Sequence, residues 1–183
     1  VGSIGLTGIS GVTVNSTDLS VLINRAATDD TLVDYATSPL QVLTGPTTSL
    51  VLDVDGTLGP VLKASGNLTV NMFDFFSVSG SFAVEKKTET VTLSDATTVD
   101  ADLLTLGGTN ISAFAGLNGP ATNSNAVGFS LGNAEFGLAM ITDRKTPTRK
   151  WTTLQATAGL AEFVGGSQFE VTGTDLTVAI NRG

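Results

Sequence analysis

Two stretches of this chain are copies of one another. Val14-Asn15-Ser16-Thr17-Asp18-Leu19-Ser20-Val21-Leu22-Ile23-Asn24-Arg25 returns as Val171-Thr172-Gly173-Thr174-Asp175-Leu176-Thr177-Val178-Ala179-Ile180-Asn181-Arg182, an offset of 157 residues. Thr-Asp-Leu and Ile-Asn-Arg are identical in both, and the substitutions between them are small or conservative. The copies occupy residues 12–26 and 169–183 of a 183-residue chain, which reads as a single β-repeat unit over 1–183. Such a chain is either one long period of an array plus the start of the next, or a run of shorter coils whose ends resemble each other most.

The local pattern is that of strands. Leu68, Val70 and Met72 alternate with Thr69 and Asn71, Val91 and Leu93 with Thr90 and Thr92, and Phe169 and Val171 with Glu170 and Thr172. Period two marks a half-buried strand. Gly45-Pro46, Gly59-Pro60 and Gly119-Pro120 read as turns. Short helices are admissible at Asp102–Leu106 and Leu154–Val164, though neither has a convincing cap. A weaker motif, a small residue and Gly before alternating apolar positions, recurs at Ala64–Val70, Val78–Val84, Ser130–Phe136 and Thr157–Phe163. A longer version at Gly108–Ser112 matches Gly173–Thr177. The preferred architecture is an all-β, β-solenoid-like (parallel β-helix) stack of irregular coils. Strands at about 4.8 Å spacing would share one core there, with Gly giving positive φ at each corner. The alternative is an antiparallel β-sandwich.

Charge and composition exclude several functions. The net charge is -8 with nine Lys and Arg, so no basic face for nucleic acid is expected. Four of those nine, Arg144, Lys145, Arg149 and Lys150, cluster as a solvated loop tip would. No apolar run approaches the roughly 20 residues of a membrane helix, so no membrane insertion is expected. The absence of Cys excludes disulfides and thiolate metal sites, and the absence of His removes the commonest general base.

Three motifs invite a chemical reading. Ser49–Leu58 contains Asp53-Val54-Asp55-Gly56-Thr57 and is similar to the first motif of haloacid-dehalogenase-type phosphatases, in which the first Asp attacks phosphorus. The helical periodicity such a fold needs is missing, and a strand followed by an Asp-Gly turn accounts for the residues. Gly128-Phe129-Ser130-Leu131-Gly132 matches a nucleophile elbow, but the elbow requires a helix and a His base. Calcium is the most credible ligand, with the pairs Asp53 and Asp55, Asp29 and Asp30, and Asp100 and Asp102 as candidate oxygen donors in turns. No other cofactor is implied. Met72, Phe73, Phe75 and Phe76 form the densest apolar cluster and are expected in the core.

Ala64–Val84, followed by Glu85-Lys86-Lys87, resembles the β-strand repeats of giant bacterial surface and adhesin-like proteins, as do Asn133–Ala139 and Gly173–Arg182. The resemblance implies export to the cell surface or extracellular space, and a rod-like array with a structural or adhesive role. It assigns no functional residues. The expected function is therefore a non-catalytic structural or adhesive repeat segment. Its expected partners are neighbouring repeats of the same protein, with end-to-end self-assembly through its homologous ends. Alternatives are an extracellular glycan-binding module and, less favoured, a phosphatase using Asp53 and Asp55. Trp151 and Tyr35, the one Trp and the one Tyr, supply little aromatic surface for sugar stacking.

Overall fold

The computed structural model describes residues 4–6, 10–166 and 169–183. Its strands are β1 (Ile4–Leu6), β2 (Val12–Asn24), β3 (Leu40–Leu43), β4 (Ser49–Leu52), β5 (Val61–Met72), β6 (Phe76–Thr92), β7 (Thr98–Leu117), β8 (Val127–Asp143), β9 (Lys150–Val164) and β10 (Thr172–Arg182). Among the described residues a single 3-10 turn covers Gly56–Leu58. Eight strands form one sheet in the order β1-β2-β5-β6-β7-β8-β9-β10, while β3 and β4 make a separate hairpin within the β2–β5 connection.

The fold is all-β, and every pairing is antiparallel. This overturns the parallel solenoid and agrees with antiparallel pairing. The physical reason lies in the connections. β5 reaches β6 through residues 73–75, β6 reaches β7 through 93–97, and β8 reaches β9 through 144–149. A parallel crossover needs a dozen or more residues. The segments Asp102–Leu106 and Leu154–Val164 lie in β7 and β9 and contribute no helix.

Register explains the residue pattern. One row across six strands reads Ala64, Val84, Leu106, Leu138, Leu154, Ile180. Its neighbour reads Lys63, Glu85, Thr105, Ala139, Thr153, Asn181. Successive residues point to opposite faces, so along these two rows one face is apolar and the other largely polar.

A seam of irregular backbone crosses the middle of the sheet. Asp18, Asn110, Asn133 and Asp175 hold φ of 56°, 53°, 52° and 54° inside β2, β7, β8 and β10. The ladder shifts between Thr17 and Ser20, between Ser79 and Ser81, and on either side of Ile111. These are β-bulges, and Asp and Asn tolerate the left-handed conformation they require. The motif glycines lie along the same seam for a different reason from the one expected. None of Gly66, Gly80, Gly132 or Gly159 has positive φ; among described residues only Gly11, Gly59 and Gly165 do. The motif glycines leave room instead. A Cβ on Gly80 would lie 2.9 Å from Ile111 Cγ1 and 3.1 Å from its Cα, and one on Gly66 would lie 3.1 Å from the Thr17 carbonyl. Gly66, Gly80 and Gly159 thus let a neighbouring left-handed segment approach, whereas Gly132 has open room, and the repeated motif marks mid-strand positions rather than corners.

The core follows the seam. Ile111, Ala134 and Ala158 are buried, with Val78, Phe82, Leu131 and Phe136 packed around them. The Phe82 and Phe136 rings sit 6.4 Å apart. The Met72–Phe76 cluster does not belong to this core. Phe73 is 66% exposed and Phe75 55%, because they occupy the β5–β6 turn beyond the ends of the paired strands.

Candidate interaction site

The proposed calcium pairs fall in three places. Asp29 and Asp30 lie in the turn after β2, where Asp29 accepts from the amide and hydroxyl of Thr31, and these bonds hold its carboxyl below the usual range. Asp53 follows β4, and Asp55 caps the 3-10 turn by accepting from the amide and hydroxyl of Thr57 at 2.7 and 2.6 Å. Asp100 and Asp102 are cross-strand partners of Thr90 and Thr88. Asp100 accepts from the Thr90 hydroxyl at 2.8 Å, and Asp102 lies 3.6 Å from Arg144 Nε. Among the described residues no group of three or more acidic side chains comes together around a common point. The phosphatase-like Asp55 therefore sits in an Asx turn, a local backbone role. Ser130 lies within β8 opposite Phe114 and Glu162, not at a strand-to-helix elbow.

Four features of the polar face were not visible in the sequence. The first is a relay at the seam: Asn67 Nδ2 donates to Asp18 Oδ2 at 2.9 Å, and the Ser81 hydroxyl donates to Asn67 Oδ1 at 2.6 Å. It joins β2, β5 and β6 through the motif's own polar residues. The second is a ladder of alternating charge. Lys87 lies 3.4 Å from Glu85 and 2.7 Å from Glu89, and Lys63 lies 3.8 Å from Glu85. The hydrogen bond to Glu89 is the main cause holding the Lys87 ammonium above its usual pKa. The third is a shallow trough of about 750 Å³ beside that ladder, lined by Lys63, Glu85, Thr105, Glu135, Thr153 and Gln155 among others. Its mixed charges select no single ligand class.

The fourth is a knot at the β8–β9 turn. Asp143 is 3% exposed, the one buried charged side chain among the described residues. It accepts from the Lys145 and Thr146 amides at 2.8 and 3.1 Å and from Arg149 Nη1 at 3.1 Å. Burial pushes its carboxyl up, but the two amides and the neighbouring Arg149 and Lys145 charges outweigh burial and hold it below the usual range. Arg149 also stacks 5.1 Å over the ring of Trp151, so the sole Trp is engaged within the chain. The basic cluster is thus partly paired, with Arg144 on Asp102 and Arg149 on Asp143.

The remaining candidate is an edge. β10 pairs with β9 along one side, from Thr172–Glu162 to Arg182–Thr152, and ends the sheet on the other. An edge strand presents unpaired amide and carbonyl groups to any strand that can complement it. Its alternating Leu176, Val178 and Ile180 are 44%, 50% and 41% exposed.

Among the described residues no helix is long and apolar enough to cross a membrane. No family model, no curated protein and no solved structure matches this chain.

Proposed function

We propose that the chain is a repeat unit of a tandem β-strand array, serving as a non-catalytic structural or adhesive segment of a large secreted or cell-surface protein. The observation that carries this reading is the copied strand. β2 and β10 share sequence at the 157-residue offset, and they also share backbone, with Asp18 and Asp175 in one left-handed conformation at corresponding positions. A long antiparallel sheet with a repeated seam suits mechanical spacing, and the charge of -8 keeps such chains mutually repelling. Asp55 is engaged by Thr57 in a local turn and Ser130 lies within β8, which favours a non-catalytic role.

Two measurements test the proposal. Antibody raised against the chain should label intact, unpermeabilised source cells or their culture medium. Labelling confined to lysed cells would sink the surface assignment. Purified chain should show no turnover of aryl phosphate that falls with Asp53→Asn. Activity lost in that variant would restore the phosphatase reading.

A further inference from the structure

The 157-residue offset governs strand register as well as sequence. β1 pairs with β2 through Ile4–Ser16 and Gly5–Asn15. Adding 157 to each gives Ala161–Gly173 and Glu162–Thr172, and both are pairs of the β9–β10 ladder. The next pair, Leu6–Val14, corresponds to Phe163 and Val171, joined by a backbone hydrogen bond at 2.9 Å. β1 therefore stands to β2 as the end of β9 stands to β10. The same junction thus occurs twice in this chain, along β9 and β10 and, among the described residues, in the three pairs of β1 and β2.

β2 has a second neighbour, β5, whose counterpart is missing beside β10. We propose that the open edge of β10 is the docking site for the β5-equivalent strand of the next copy of this unit, so that adjoining repeats share one uninterrupted sheet instead of folding as separate beads. This rests on the tandem-array reading above and specifies how its units join. Transposing the β2–β5 ladder by 157 sets the register: Val171 opposite Val70, Thr172 opposite Thr69, Thr174 opposite Asn67, and Val178 opposite Ala64 of the next copy.

Three independent features fit this arrangement. First, one period contributes β2, β5, β6, β7, β8 and β9 to the sheet, an even number, so β10 runs in the direction of β2. Second, the row that starts at Val21 ends at Ile180, whereas the copy of Val21 is Val178. Each period therefore shifts the rows by two residues. An even shift keeps the apolar face on the same side in every repeat, whereas an odd shift would turn it over. Third, the receiving edge is preformed. Asp175 holds φ 54°, matching 56° at Asp18, although it lacks the β5 partner that Asp18 has. In the transposed register its carboxylate would accept from the next copy's Asn67 as Asp18 does at 2.9 Å here. Such a head-to-tail contact does not close and so propagates. Each period advances the sheet by about 29 Å, six strands at about 4.8 Å.

The experiment is a two-period chain, residues 1–182 followed by 26–183, compared with the single chain by hydrogen exchange. The β10 amides that face the open edge should exchange at least about tenfold more slowly in the two-period chain. The native chain has no cysteine, so engineered pairs report register cleanly. Thr172→Cys with Thr69→Cys of the second period, and Val171→Cys with Val70→Cys, are consecutive cross-strand pairs, one of which has the close spacing a disulfide accepts. One of the two should cross-link within the chain, and pairs displaced by two residues should not. Unchanged β10 exchange in a chain whose two periods both fold would overturn the proposal and leave the array reading standing with bead-like units. Cross-linking only in a displaced register would overturn the stated geometry. The exchange measurement needs no substitution, so it decides the matter even if the cysteine variants misfold.

Discussion

β2 and β10 are one sequence in two settings. β2 has β5 along its whole length on one side, while β10 has β9 on one side and an open edge on the other. Their backbones nevertheless agree, down to the left-handed Asp in each. The left-handed conformation is therefore written into Thr-Asp-Leu itself and does not wait for a strand on the β5 side. What the partner adds is the hydrogen bond from Asn67 to Asp18 and the close approach that Gly66 permits. The comparison separates what a strand brings from what its neighbour gives it.

The largest effect should come from filling the seam on which both strands depend. In Gly80→Val the added atoms meet Ile111 Cγ1 at 2.9 Å, Ile111 Cα at 3.1 Å and the Thr109 carbonyl at 3.2 Å. Two of those contacts are backbone and cannot swing aside. Destabilisation of about 2–4 kcal/mol is expected in a denaturant titration. Gly137→Ala, whose Cβ would meet nothing within 4 Å, is the control and should change stability by less than about 0.5 kcal/mol. Equal effects from the two substitutions would remove the seam as the reason for these glycines.

A smaller effect should separate the two copies directly. Glycine adopts positive φ without strain, so Asp175→Gly in the single chain leaves the left-handed backbone intact and should shift stability by less than about 0.5 kcal/mol. Asp18→Gly keeps the same backbone but strands Asn67, whose amide has donated to it, and should cost about 1 kcal/mol. In the two-period chain the costs of the two substitutions should converge. If Asp175→Gly costs as much as Asp18→Gly in the single chain, the relay to Asn67 contributes nothing.

Much of this was legible in the residues. The alternation at Leu68–Met72 marked a strand, whereas Phe169–Val171 lie ahead of β10, and the copied Thr-Asp-Leu marked two strands of like backbone. Pairing direction was not legible, because an alternating strand looks the same in a parallel stack and an antiparallel meander. Loop length was the neglected signal: Phe73-Asp74-Phe75 is too short for any crossover. The same turn misled the core assignment, since three Phe in five residues read as burial until their place at a sheet end was known. The Asp18–Asn67–Ser81 relay joins residues 49 and 14 positions apart and needs the register to be seen. Asp143 gave no signal beyond a polar residue beside a basic cluster.

Acid offers a test that spares β2 and β10 alike and acts on the turns. The carboxyl of Asp143 lies below the usual carboxylate pKa when folded. Its contribution is then present above the unfolded value, near 4, and is lost as pH falls through the lower folded value. Asp29, Asp34 and Asp95 are shifted the same way, Asp34 chiefly by the Gly56 amide that ties the excursion after β2 together. Melting midpoints should be flat from pH 7 to about 5 and fall below about 4. Asp143→Asn should lower the midpoint at pH 7 and flatten the fall, so that variant and native chain approach each other at pH 3. A constant gap at all pH values would show that the knot acts through packing and not through its charge.

Calcium should have the smallest effect. The carboxylates that suit it are divided between two turns and the strand β7 and already accept from Thr31, Thr57 and Thr90, and no third acidic side chain joins any pair among the described residues. A pair alone, completed by water and carbonyls, gives weak occupancy, and at ten times its Kd a ligand adds only about 1.4 kcal/mol. Millimolar calcium should therefore raise the melting midpoint over the EDTA value by no more than a few degrees. A rise well beyond that, abolished by Asp53→Asn with Asp55→Asn but not by Asp100→Asn, would place a true site in the excursion between β2 and β5. That excursion follows β2 and has no counterpart after β10 in this chain, so such a site would also make the two copies differ in solution by more than their partner strands.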